Sequence, residues 1–179
     1  FRYTDMIRLV IAEDHQALID GLELQLKYED NISIVGTVND GEALLDLVRL
    51  KEPNVVITDI RMPKLDGIQA TTVIKKEFPK IKVLAFTMFD QNEAVSQMLE
   101  AGADGYILKN TALKEVLAAI NAVYEGKTYY DSNITVANNS KTGSSSKSLL
   151  TKRQTEILHL IAQGKTSREI GAELFIGVH

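Results

Sequence analysis

The feature that most constrains this chain is a fivefold alternation of short apolar runs with amphipathic stretches, filling residues 6–126. Strand candidates fall at Ile7–Ala12, Ile32–Val38, Asn54–Asp59, Ile81–Thr87 and Gly105–Lys109. Most are nearly continuous in Val and Ile, the pattern of strands covered on both faces. Between them the apolar positions recur at helical spacing: Leu18, Leu22 and Leu26; Leu44, Leu47 and Val48; Val95, Met98 and Leu99; Leu113, Val116, Leu117 and Ile120. Asp90 with Glu93 resembles a capping pair, and Asn110 or Thr111 can cap the last helix. Five such units predict a parallel sheet with right-handed crossovers and helices on both faces.

After Gly126 the pattern lapses. Residues 138–148 (NNSKTGSSSKS) contain no apolar side chain and read as a flexible linker. Order is expected again from Leu149. Thr151 with Gln154 forms a capping box ahead of the stripe Ile157, Leu160 and Ile161, which Gly164 stops. Thr166 with Glu169 is a second box, opening a short helix through Ile170 and Leu174. Two helices joined at a glycine make the start of a helix-turn-helix. The expected division is therefore an α/β domain at 6–126, a linker at 127–148 and a partial all-α domain at 149–179.

Charge divides the chain in the same place. Residues 1–126 hold 13 Lys/Arg against 20 Asp/Glu, a net −7, whereas residues 147–179 hold five against three, a net +2. Two units with different partners are implied. The absence of cysteine removes disulfides, thiolate metal sites and cysteine nucleophiles together. No apolar run approaches the roughly 20 residues needed to span a bilayer, so a cytoplasmic protein with no membrane partner is expected.

In an open parallel sheet, function gathers at the carboxyl ends of the strands. Here the first strand ends in Glu13 and Asp14, the third in Asp59, the fourth in Thr87 and the fifth in Lys109. Three neighbouring carboxylates repel one another unless a cation joins them. Magnesium suits such a set, because it takes one or two protein carboxylates, keeps several waters and accepts phosphate oxygens; manganese is the alternative. Asp14 and Asp59 are assigned as direct ligands, Glu13 as one acting through water, and the backbone carbonyl of Arg61 completes the set. Asp59 then has the surroundings of a carboxylate nucleophile in phosphoryl transfer, with Lys109 as a second positive charge. His15, His159 and His179 show no metal spacing, and His15 reads as solvated. Pro63 and Gly67 shape a turn, with Gly67 free to take positive φ.

The stretches IAEDH (11–15), TDIRMPKLDG (58–67), FTMFD (86–90) and GYILKN (105–110) resemble a response-regulator receiver domain. The stretch LTKRQTEILHLIAQGKTSREIGAEL (150–174) is similar to the opening of a LuxR-type helix-turn-helix. Together they resemble the NarL/FixJ family of two-component transcription regulators. The resemblance implies a flavodoxin-like, five-stranded sheet of order 2-1-3-4-5. It implies that Asp59 accepts phosphate from the phosphohistidine of a sensor histidine kinase, with Glu13 and Asp14 binding Mg²⁺. Thr87 would hydrogen-bond the phosphoryl group, Lys109 would pair with it, and Tyr106 would swing inward as Thr87 moves. DNA binding by the full-length protein, and a possible homodimer on phosphorylation, follow from the same family.

Other chemistries fit less well. A flavodoxin needs a hydroxyl- and glycine-rich loop after strand one, where this chain has AEDHQAL. A P-loop is absent. A haloacid-dehalogenase-type phosphatase needs a second aspartate two residues after the first, and position 61 is Arg, so a turnover enzyme is not expected. A receiver that signals through protein contacts alone is the remaining alternative. The chain stops where the family's recognition helix would begin, so truncation is expected, and Lys152, Arg153, Lys165 and Arg168 could supply only phosphate contacts to DNA. Met88, bulky and directly after Thr87, is expected to hinder water at the phosphoryl group.

Overall fold

The computed structural model describes residues 6–88, 92–132 and 134. The chain divides into two units, Phe1–Val136 and Ala137–His179. The elements of the first run β1 (Ile7–Ala12), α1 (Gln16–Leu26), β2 (Ile32–Val38), α2 (Gly41–Lys51), β3 (Val55–Thr58), α3 (Gly67–Glu77), β4 (Lys82–Thr87), α4 (Asn92–Glu100), β5 (Gly105–Leu108), α5 (Leu113–Tyr124) and β6 (Tyr129–Tyr130). All strand pairs are parallel. No helix among the described residues is long and apolar enough to cross a membrane.

Alternation along each strand sorts side chains to two faces. Val10, Ala12, Val56, Val83, Ala85 and Tyr106 face a core closed by Leu44 and Val48 of α2, Ile74 of α3 and Met98 of α4. Leu9, Ile11, Ile57, Leu84 and Ile107 face the other core, closed by Leu22 and Leu26 of α1 and by Val116, Ile120 and Val123 of α5. Burial on both sides explains why the strands read as apolar runs rather than alternating ones.

The sheet order is β2-β1-β3-β4-β5-β6. The expected five-stranded order is present, with one strand more. Tyr129 and Tyr130 pair with Gly105 and Tyr106, so two residues of the expected linker extend the sheet beyond β5. Two residues are too short a run to show a period, which is why β6 gives no signal in the sequence.

Two local expectations change. Ala112, not Asn110 or Thr111, occupies the N-cap of α5, without a side-chain cap. Gly67 is not at positive φ; in that loop the left-handed residue is Lys64, at φ 65°. Gly67 is needed for space. A Cβ there would lie 2.0 Å from the carbonyl oxygen of Asp59. The same tight turn carries a capping box, with Asp66 Oδ1 accepting from the Gln69 amide at 2.7 Å. Asp90 of the expected pair before α4 lies outside the described residues.

Two glycines should respond in opposite directions. Gly67→Ala meets backbone and should lose about 1–3 kcal/mol of stability. Gly21 lies inside α1, where an added methyl would meet nothing within 4 Å, and should gain up to about 1 kcal/mol as alanine. Urea denaturation of the two variants checks both signs.

Candidate phosphoacceptor and metal site

The parallel arrangement brings the carboxyl ends of β1, β3, β4 and β5 to one edge. Asp59 directly follows β3, and its amide donates to Ala12 O of β1 at 2.9 Å, which fixes the backbone at this crossing. Its side chain is held at both oxygens. The Ile60 amide donates to Oδ1 at 2.7 Å, and the Lys109 ammonium donates to Oδ2 at 2.7 Å. Lys109 also lies 2.6 Å from Glu13 Oε2. Glu13, Asp59 and Lys109 have side chains only 1%, 6% and 4% exposed, so one ammonium serves two buried carboxylates.

Burial by itself lowers the Lys109 pKa, but hydrogen bonds to Asp59 and then Glu13 outweigh it, and the group is held above the usual lysine range. The stabilisation is therefore complete below that range and is lost only as pH rises through the raised value. The charge count still favours an added cation: two carboxylates face one ammonium, and Asp14 adds a third carboxylate at the exposed rim.

The solvated position expected of His15 holds in part, since its ring is 68% exposed. Its Nδ1 nevertheless lies 3.0 Å from Glu13 Oε1 and 2.9 Å from Asp14 Oδ1. A hydrogen bond to Glu13, then the charges of Asp14 and Glu13, raise its pKa above the ordinary histidine value. Proximity in sequence was the available signal, but nothing in the string of residues shows that the ring turns back on the acids.

Thr87, fully buried, ends β4, and its carbonyl accepts from the Lys109 amide at 2.9 Å. Tyr106 is fully buried in β5, opposite Ala85 in register. Arg61 is exposed in the loop after Asp59. That loop is tied to the start of α2, where Lys64 Nζ lies 3.1 Å from Asp40 Oδ2 and where a Cβ on Gly41 would lie 2.0 Å from Leu65 O. Met88 is 71% exposed directly beyond Thr87. Lys152, Arg153, Lys165 and Arg168, with the expected helix-turn-helix, lie outside the described residues.

The donor set fits a hard divalent cation. Ligand atoms of Glu13, Asp14 and His15 lie within 4.8 Å of one another. Glu13 Oε2 is buried and, among the described residues, has no partner beyond its ion-pair contact with Lys109. That group holds two carboxylates and an imidazole, and Asp59 is not part of it; its carboxylate oxygens are the donors that suit magnesium or manganese.

Residues 9–121 match the response regulator receiver domain, and residues 148–178 match the bacterial regulatory proteins of the luxR family. The chain belongs to the LuxR-type response regulators. It is a two-component response regulator acting on transcription. It is 38% identical over 184 residues to the oxygen regulatory protein NreC of Staphylococcus epidermidis, covering 96% of this chain and 84% of that protein. NreC of Staphylococcus aureus is 37% identical over 183 residues, with the same coverage. Among solved structures, the receiver domain of RcsB from Salmonella enterica serovar Typhimurium, with the phosphomimetic BeF3−, superposes with a TM-score of 0.68 at 27% identity, covering 73% of this chain and 96% of that one. A complex of RcsB with DNA gives a TM-score of 0.69 at 25% identity, covering 97% of this chain and 85% of that one.

Removing the shared ammonium leaves two buried carboxylates opposed. Lys109→Met should cost about 3–5 kcal/mol in metal-free protein, the range for breaking a buried ion pair from one side. Millimolar Mg²⁺ should restore part of the loss, which thermal denaturation with and without EDTA measures.

Proposed function

We propose that this response regulator is switched by phosphorylation of Asp59, with the phosphohistidine of a sensor histidine kinase as donor. The observation that carries the reading is the Asp59 carboxylate itself: buried, at the carboxyl edge of the sheet, with a lysine ammonium on Oδ2 and a backbone amide on Oδ1. An Asp59 oxygen attacks phosphorus, the P–N bond breaks, and its electron pair returns to the imidazole nitrogen of the donor. The Ile60 amide and Lys109 orient the nucleophile. Lys109 then stabilises the charge on the transferred group, and the Thr87 hydroxyl donates to a phosphoryl oxygen.

Glu13, Asp14, Asp59 and the Arg61 carbonyl would hold Mg²⁺ or Mn²⁺, which supplies charge neutralisation between acceptor and phosphoryl oxygens. Tyr106, fully buried opposite Ala85 two residues before Thr87, would report the change through packing. No second acid stands at position 61, so the aspartyl phosphate is a signalling state rather than a step in turnover. Met88, exposed next to Thr87, would hinder attack by water. The output would be DNA binding, accompanied by homodimerisation, with Lys152, Arg153, Lys165 and Arg168 touching backbone phosphates. Cytoplasmic residence follows from a kinase donor and a DNA target.

Incubation with acetyl phosphate and Mg²⁺ should add one phosphoryl group to the intact mass, and chelation should prevent it. Asp59→Asn should stay unlabelled; persistent labelling of that variant overturns the assignment. Met88→Ala should shorten the lifetime of the labelled protein, and an unchanged lifetime removes the shielding role.

A further inference from the structure

Lys109 follows β5 and opens the turn into α5. Its amide is tied to Thr87 O, and the Thr111 amide donates to Leu108 O at 3.0 Å, so the turn is closed on the strand side. Its other anchor comes from far along the chain. Thr111 stands one residue before the N-cap of α5, and its Oγ1 donates to Asp131 Oδ2 at 2.5 Å. Asp131 is only 5% exposed. Its amide donates to Tyr106 O at 3.0 Å, and its carbonyl accepts from the Ile134 amide at 2.9 Å. A buried carboxylate costs free energy unless it is hydrogen-bonded, and a short hydroxyl–carboxylate contact is among the stronger kinds. Asp131 therefore joins three segments at one point: β5 at Tyr106, the Lys109 turn at Thr111, and the chain after β6 at Ile134.

We propose that Asp131 is a positioning residue for phosphoryl transfer, fixing through Thr111 the turn that holds the Lys109 ammonium between Glu13 and Asp59. The inference rests on the phosphoacceptor role of Asp59 proposed above. Lysine carries a long flexible stem, so the placement of its ammonium depends on how firmly its backbone is set. Geometry at a reacting centre matters at the scale of an ångström, where a misplacement can cost about a hundredfold in rate. Asp131 acts on Lys109 through Thr111 rather than by touching it.

The test compares initial rates of phosphorylation by acetyl phosphate and Mg²⁺ for the full chain, normalised to folded protein. The set is wild type, Thr111→Val, Thr111→Ser, Asp131→Ala and the Thr111→Val/Asp131→Ala double variant. Thr111→Val, which keeps the shape and loses the hydroxyl, should slow labelling by about tenfold, within the range expected for a displaced reacting group. Thr111→Ser should restore the rate, which a purely structural role of residue 111 does not predict. The double variant should be no slower than the slower single variant, because the same contact is lost once. Should Asp131→Ala fail to fold, the valine and serine pair decides alone. A wild-type rate in Thr111→Val, or multiplicative losses in the double variant, overturns the proposal. A wild type that takes no label at Asp59 overturns this inference together with the reading it rests on, whereas a labelled wild type with an unaffected Thr111→Val overturns this inference alone.

Discussion

One ammonium shared by two buried carboxylates organises this domain's working edge. Glu13 arrives from the end of β1, Asp59 from the end of β3 and Lys109 from the end of β5, and the parallel pairing of the sheet brings those three ends to one edge. Lys109 lies within 2.7 Å of both acids, and the backbone hydrogen bonds around it are arranged to keep it there. Asp59 is pinned to β1 through its amide, Lys109 to β4 through its own, and the loop after Asp59 can turn back only because residue 67 has no side chain.

Such an arrangement is a poor way to stabilise a fold. Desolvating three charges costs several kilocalories per mole, and well-packed apolar residues of similar volume often do as well or better. Its use lies in chemistry. Under the phosphoacceptor role proposed for Asp59, a carboxylate kept in a water-poor pocket with a cation already on one oxygen would be prepared for an anionic phosphoryl group. The negative charge left over by Glu13 and Asp14 is what a divalent ion would neutralise. His15 lies against the same two acids from the solvent side and complements them while exposed.

Much of the fold was legible because burial on both faces writes long Val and Ile runs, and helices write their stripes between them. The meeting of Glu13, Asp59 and Lys109 at one edge was legible for a related reason: acids and a lysine placed directly after such runs have no packing role to explain them. What stayed hidden depends on contacts across long stretches of chain. β6 is two tyrosines, with no period to detect. Thr111 reads as a cap but lies one residue before it and bonds to Asp131, twenty residues on, and that pairing has no local signature. Gly67 was recognisable as a turn glycine, but its reason is proximity to Asp59 O, and the positive φ falls on Lys64 instead. His15 shows the limit from the other side, since exposure and engagement coexist in one residue.

The most direct measurement is the titration of the Lys109 side-chain amine by heteronuclear NMR in metal-free protein. Two carboxylates outweighing burial predict a midpoint above the ordinary lysine value of about 10.4. A midpoint at or below that value would contradict the account, because Lys109 would then be a buried amine that Asp59 and Glu13 do not hold.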